Sequence, residues 1–256
     1  MDRRLVVWVG SLAALALLNV GLWLSLAGST SPRTSYADSQ LLLSAIYVGV
    51  CGFRSLFPRV DLERVCLWDT WLSAIVLGRT LATIAELCFA HQCGLFVQRL
   101  SDLTGMPLLA AAAQTFVPLA VIAEIACWYA VLSLDHIGHA VEETLWAVIM
   151  LILALAFGAA GLASQGGLGW LLLAGALVYS VGAGLTLAFD VTMYLGRRRT
   201  WAIVDRLPLA TGLRDCGARR EPTKAWEIWR KEVAWMTLYF SIGVWTSLAM
   251  VLLEWA

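Results

Sequence analysis

Charge is what this chain has least of. Asp, Glu, Lys and Arg make up 14% of its 256 residues, against about 25% in a soluble domain. Formal net charge is zero, which gives no reason to expect a nucleic-acid partner. Histidine is scarce, with three copies, too few for multi-histidine di-iron chemistry. No GxGxxG, GxxxxGK[ST] or GxSxG motif occurs, so the common dinucleotide, P-loop and nucleophile-elbow signatures are absent. The six cysteines include no CxxC pair. Most fall in apolar segments, where cysteine behaves as a small hydrophobe. Cys216 alone lies in a polar segment, and the expectation is that it is exposed.

What remains is mostly apolar, at 60% of residues. Seven stretches are long enough to cross a bilayer, which takes about 20 apolar residues. They are Leu5 to Ala27, Gln40 to Phe57, Val65 to Val97, Pro107 to Leu134, Glu143 to Ala163, Leu168 to Leu195 and Val233 to Trp255. Backbone groups in lipid must be satisfied within the segment, so these stretches are expected to be helices. The fold class is therefore all-α: a single polytopic helix bundle over 1–256, embedded in the bilayer. The basic start and first apolar stretch resemble a signal peptide. That stretch exceeds the roughly 7–15 residues of a signal, so a retained anchor is expected.

Basic residues give an orientation. Arg3 and Arg4 precede the first span, and Arg54, Arg59 and Arg64 surround the loop after the second. The segment 196–232 holds Arg197, Arg198, Arg199, Arg206, Arg214, Arg219, Arg220, Lys224, Arg230 and Lys231. The other side has Arg33 and Arg99. The positive-inside rule places the N-terminus and the 196–232 loop in the cytoplasm and the C-terminus outside, as in a bacterial inner-membrane protein. Trp201, Val204 and Leu207 beside Arg198, Arg199 and Arg206 suggest an amphipathic stretch able to meet anionic lipid headgroups, although topology-setting charge also explains it. Internal repetition would favour a transporter. Its only trace is Trp68-x-Thr70 and Trp235-x-Thr237.

Ionisable residues within spans are costly and usually face protein or water. Asp69 and Asp190 are the candidate catalytic acids, because neither is readily excused by a helix N-terminus. Glu142, Glu143 and Glu232 are, since they stand where a helix dipole favours negative charge. Arg79, Glu124, Arg198 and Arg199 are candidate substrate contacts. Arg79 and Glu86 lie seven residues apart on one face, about 10 Å along the axis. Direct contact looks awkward at that separation, so Glu124 is the expected partner of Arg79. His139 and Glu143 share a face and, with His136, form a candidate metal set. The turn is short and interfacial, however, where polar residues are common.

These features favour a protein that binds or processes a lipid or isoprenoid at a polar site open to the cytoplasm. An ion-coupled transporter and an accessory subunit contacting a membrane-protein partner are the alternatives. No cofactor is identified.

Overall fold

The computed structural model describes residues 2–28, 33–61, 64–200, 206–218 and 222–252. Trp201, Val204, Arg219, Arg220 and the last residues of the seventh span lie outside that set. The chain is predominantly helical. Among the described residues, seven helices are long and apolar enough to cross a membrane: Arg3–Ala27, Ser35–Leu56, Ile75–Thr104, Pro107–Ser133, Ile137–Ala163, Gly166–Thr200 and Val233–Leu252. Their outer faces match that role: Leu17, Leu155 and Leu162 are 76%, 74% and 81% exposed.

In chain order these spans contain α1 (Arg3–Ala27), α2 (Ser35–Leu56), α3 (Ile75–Thr104), α4 (Pro107–Ala113), α5 (Phe116–Ser133), α6 (Ile137–Ala163), α7 (Gly166–Leu185) and α8 (Thr192–Thr200). Then come α9 (Leu209–Gly217), α10 (Trp226–Trp229), α11 (Val233–Leu238) and α12 (Val244–Leu252). Two π-turns, Thr186–Val191 and Tyr239–Gly243, join α7 to α8 and α11 to α12. The helices gather into two compact units. Unit one comprises 1–92 and 214–256, and unit two comprises 93–213.

The third span begins ten residues later than its apolar pattern suggests. Arg59–Val60 (β1) and Val65–Cys66 (β2) form a small antiparallel hairpin. Thr70 then caps a 3-10 turn over Trp71–Ser73, through Leu72 N–H donating to its hydroxyl. A short β-branched run reads equally well as strand or helix edge, and here the hairpin takes it. α3 closes at Gly105, whose φ of 68° suits a residue without Cβ and whose N–H bonds Ser101 O at 2.8 Å.

The fifth span starts six residues earlier than expected, at Ile137, so Glu142 and Glu143 do not open a helix. The dipole account of those two acids is therefore corrected. Trp68 lies in the loop before the 3-10 turn, whereas Trp235 lies inside α11, so the two Trp-x-Thr copies are not equivalent positions.

Unit one is built around Leu5, Leu12, Tyr47, Cys51, Trp229, Met236 and Phe240, all nearly fully buried. Polar links cross this apolar core where the helical ladder leaves a group over. The π-turn at Tyr239–Gly243 displaces the regular i to i−4 pattern. Asn19, 2% exposed on α1, donates to Phe240 O at 2.8 Å and accepts from Trp245 Nε1 at 3.0 Å. Gln40 and Gln92 exchange side-chain-to-backbone bonds at 3.1 Å, and Ser247 donates to Gln92 Oε1 at 2.6 Å. These bonds tie α2, α3 and α12.

In unit two, α6 packs directly on α5. A Cβ at Gly138 would fall 2.3 Å from Ala126 O, so only glycine permits this approach. A left-handed residue, Leu134 (φ 58°), ends α5 and turns the chain back.

Asn19→Ala leaves the Phe240 carbonyl buried without its side-chain donor, which costs about 1–3 kcal/mol. Denaturant unfolding of the detergent-solubilised protein should show that loss, and an unchanged midpoint would remove Asn19 from the list of structural bonds.

Candidate functional site

Unit one gathers three buried arginines from neighbouring elements. Arg54 occupies the last turn of α2, Arg59 opens the hairpin and Arg79 lies in the second turn of α3; they are 8%, 3% and 7% exposed. Their proximity shows in the electrostatics. Burial holds the Arg59 guanidinium below its ordinary range, Asp61 opposes that shift, and the positive charges of Arg54 and Arg79 add to it.

Each arginine is held differently. Arg79 Nη2 donates to Glu86 Oε2 at 2.6 Å. This corrects the expectation that seven residues are too many for direct contact. Helical side chains lean toward the N-terminus, so Glu86 reaches back while the long Arg79 reaches forward, and together they cover two turns. Tyr239 completes the group by donating its hydroxyl to Glu86 Oε1 at 3.0 Å.

Arg54 has no ion pair among the described residues. Its guanidinium carbon stands 5.8, 5.5 and 5.7 Å from the ring centres of Trp235, Tyr239 and Phe240. Arg59 uses Nε to bond Asp61 Oδ1 at 3.0 Å. Its Nη1 and Nη2 are buried without a hydrogen-bond partner. The guanidinium occupies space left by Gly78, where a Cβ would sit 1.4 Å from Arg59 Cζ. Asp61 is thus bonded to Arg59 and Glu86 to Arg79. The same unit carries a cleft of ≈ 360 Å³ lined by Arg3, Arg4, Val7, Trp8 and Trp226, with Arg4 5.2 Å above the Trp226 ring.

Unit two holds two further polar groups. Asp135, 2% exposed, accepts from Arg198 Nε and Arg206 Nη1, both at 3.1 Å, and from Ile137 N–H at 3.1 Å. Arg198, expected at a headgroup, thus binds the α5–α6 turn, while Arg199 stays exposed in the last turn of α8. Beside this turn, His139 Nδ1 lies 2.8 Å from Glu142 Oε2 and 4.0 Å from Cys127 Sγ. The Tyr194 ring stacks on His139 at 5.0 Å. The acid beside His139 is therefore Glu142, at i+3, where sequence spacing pointed to Glu143. His136 is buried; burial and the nearby His139 and Arg197 push its imidazole below the ordinary range.

The remaining sequence candidates lie on different elements. Asp69 is exposed, on the loop ahead of the 3-10 turn in unit one. Asp190 is half-buried on the Thr186–Val191 π-turn in unit two, ten residues before its span ends. Glu124 is buried on α5, in unit two. Cys216 is buried rather than exposed: α9 is strongly amphipathic, and Arg64 Nη1 donates to its Sγ at 2.9 Å while Arg64 Nε pairs with Asp215 at 3.3 Å. Sequence reading missed Arg54 and Arg59, which passed as loop charges setting topology. It missed Cys127 as an apparent core thiol.

The seven long apolar helices are those of a multi-pass membrane protein. Comparison with protein-family models, curated proteins and solved structures finds no match.

Breaking the Arg79–Glu86 pair from either side should cost about 3–5 kcal/mol, because each single change strands a buried charge. Arg79→Leu and Glu86→Leu are expected to be separately severe and jointly milder. A double-mutant cycle read by thermal unfolding in detergent checks this, and a coupling near zero would show that the contact carries no energy.

Proposed function

We propose that the protein binds the anionic head of a lipid or isoprenoid, phosphate-bearing by preference, at the Arg54–Arg59–Arg79 centre of unit one. The bilayer face of entry is the cytoplasmic one, which follows from the Arg and Lys asymmetry. The reading rests on one observation. Arg59 is buried, charged, and turns two unpartnered Nη groups into the protein interior beside Gly78.

An arginine does not escape burial by losing its proton. Leaving a buried charge without compensation costs several kcal/mol. Asp61 bonds only Nε, so the fork formed by Nη1 and Nη2 is free for a planar or tetrahedral oxyanion, which guanidinium recognises bidentately. Arg54 supplies a second positive charge, held against the rings of Trp235, Tyr239 and Phe240. The aromatic and basic cleft at Arg3, Arg4, Trp8 and Trp226 has the chemistry of a membrane–water boundary, where such residues concentrate.

The test uses the full chain in neutral detergent, with phosphatidylglycerol, a polyprenyl phosphate and phosphatidylcholine as probes. Thermal unfolding should shift upward with the first two and not with the third. Arg59→Gln should raise ligand-free stability by removing an uncompensated charge, and should weaken anion binding at least tenfold. Gly78→Ala keeps every charge but pushes the guanidinium aside, and should weaken binding too. Equal stabilisation of wild type and both variants would reject the site.

The orientation has its own check. Reporters active on one side of the membrane, fused to each terminus, should report the N-terminus in the cytoplasm and the C-terminus outside. Identical readings at both ends would contradict the odd span count.

A further inference from the structure

We propose that unit two carries a zinc-type metal site formed by Cys127 of α5 and His139 and Glu142 of α6. The site uses none of the three arginines proposed above.

Three donor atoms of different chemistry converge here. His139 Nδ1 stands 4.0 Å from Cys127 Sγ and 2.8 Å from Glu142 Oε2, and all three ligand atoms lie within 4.8 Å of one another. All three residues are buried. A tetrahedral zinc with bonds of about 2.0–2.3 Å holds its ligands roughly 3.3–3.7 Å apart. Seating the ion therefore asks the His–Glu distance to open slightly and the His–Cys distance to close.

A plain hydrogen bond accounts for only part of this arrangement. A single imidazole nitrogen has one bonding direction, as donor or as acceptor. Glu142 engages it at 2.8 Å, and the Cys127 thiol stands 4.0 Å from the same nitrogen. A cation between the three would engage every donor at once.

Charge balance favours the same conclusion. A thiolate and a carboxylate with one neutral imidazole bring two negative charges, which a divalent ion cancels. The filled site is neutral, as a low-dielectric interior between helices requires. Binding releases the thiol proton, so affinity rises with pH. The thiolate and imidazole pair selects zinc or cobalt over magnesium and calcium.

The local fold is built for proximity. Gly138 lets α6 lie on the α5 backbone at Ala126 and Ala130. Tyr194, stacked on His139, fixes the plane of the imidazole. Three protein ligands leave a fourth position, as in sites that also hold water.

The experiment strips the purified full-length protein with chelator, reloads it with Zn²⁺ or Co²⁺, and measures bound metal by mass spectrometry. About one metal per chain is expected for the wild type. The Co²⁺ form should show a near-ultraviolet thiolate-to-cobalt band together with intense visible bands of tetrahedral geometry. Cys127→Ser should abolish the thiolate band, and His139→Gln and Glu142→Gln should each weaken binding at least tenfold. Cys93→Ser, a buried thiol of α3 outside the donor set, should leave binding unchanged. Should Cys127→Ser fail to fold, the wild-type cobalt spectrum decides alone. A wild type that retains no metal after reloading, or a cobalt form without the thiolate band, overturns the site.

Discussion

Every charge placed inside these apolar helices has to be answered by the protein itself. Lipid offers neither hydrogen bonds nor counterions, and burying an ion costs several kcal/mol unless partners replace the water it lost. That constraint explains why the buried polar residues occur in groups. Arg79, Glu86 and Tyr239 form one chain of contacts. Asp135 takes two arginines and a backbone N–H. Gln40, Gln92 and Ser247 close a small ring of amide and hydroxyl bonds. In each case the partners come from separate elements or from separate turns, so satisfying the charge also fixes how helices sit within their unit.

The backbone obeys the same rule. Two of the long spans are interrupted by π-turns, and each interruption disturbs the ladder that makes a helix admissible in lipid. At Tyr239–Gly243 the disturbance is repaired by Asn19, and it also widens the turn that presents Tyr239 to Glu86. A Cβ at Gly243 would come 2.9 Å from the Tyr47 hydroxyl, so the irregular turn also brings its backbone close to that ring. An irregular turn and a buried polar cluster therefore share the same few residues, which is the association expected of a functional position.

Membrane class and seven spans were legible from hydropathy alone, because the physics behind them is a length and a composition. Ends were less so. Val65 and Cys66 look like the start of a span, but their apolar character serves a hairpin. Ile137 and Gly138 look like a loop beside His136, but they are already helix. Side-chain partnerships were the least legible. The seven-residue gap between Arg79 and Glu86 excludes contact only if side chains project straight outward, and they do not. Arg54 and Arg59 carried no sign of burial, since basic residues at a span end have an adequate explanation in topology. Gly78, which makes room for Arg59, is distinguishable from any other helical glycine only once the hairpin is seen to fold back on it. Cys127 gave no motif, because its companions lie twelve and fifteen residues away across a tight turn.

The weight carried by the arginine centre comes from comparing magnitudes. Among the described residues Arg54 is met by aromatic faces and no ion pair, and a cation–π contact contributes about 0.5–1 kcal/mol when exposed and about 2 when desolvated. Even with three rings near Arg54, such contacts offset only part of a desolvation cost of several kcal/mol per buried ion. Arg59 has a single carboxylate on Nε, and Asp61 does not serve its two Nη groups. Arg79 has a charge partner in Glu86. One of the three arginines is therefore answered well, and two are answered in part. A scaffold selected only for stability would place leucine or methionine at such positions, since apolar replacements of buried ion pairs are often neutral or stabilising. A buried guanidinium with two unserved donors, beside a cradle that only glycine permits, is better accounted for by a negatively charged ligand that spends part of its time there.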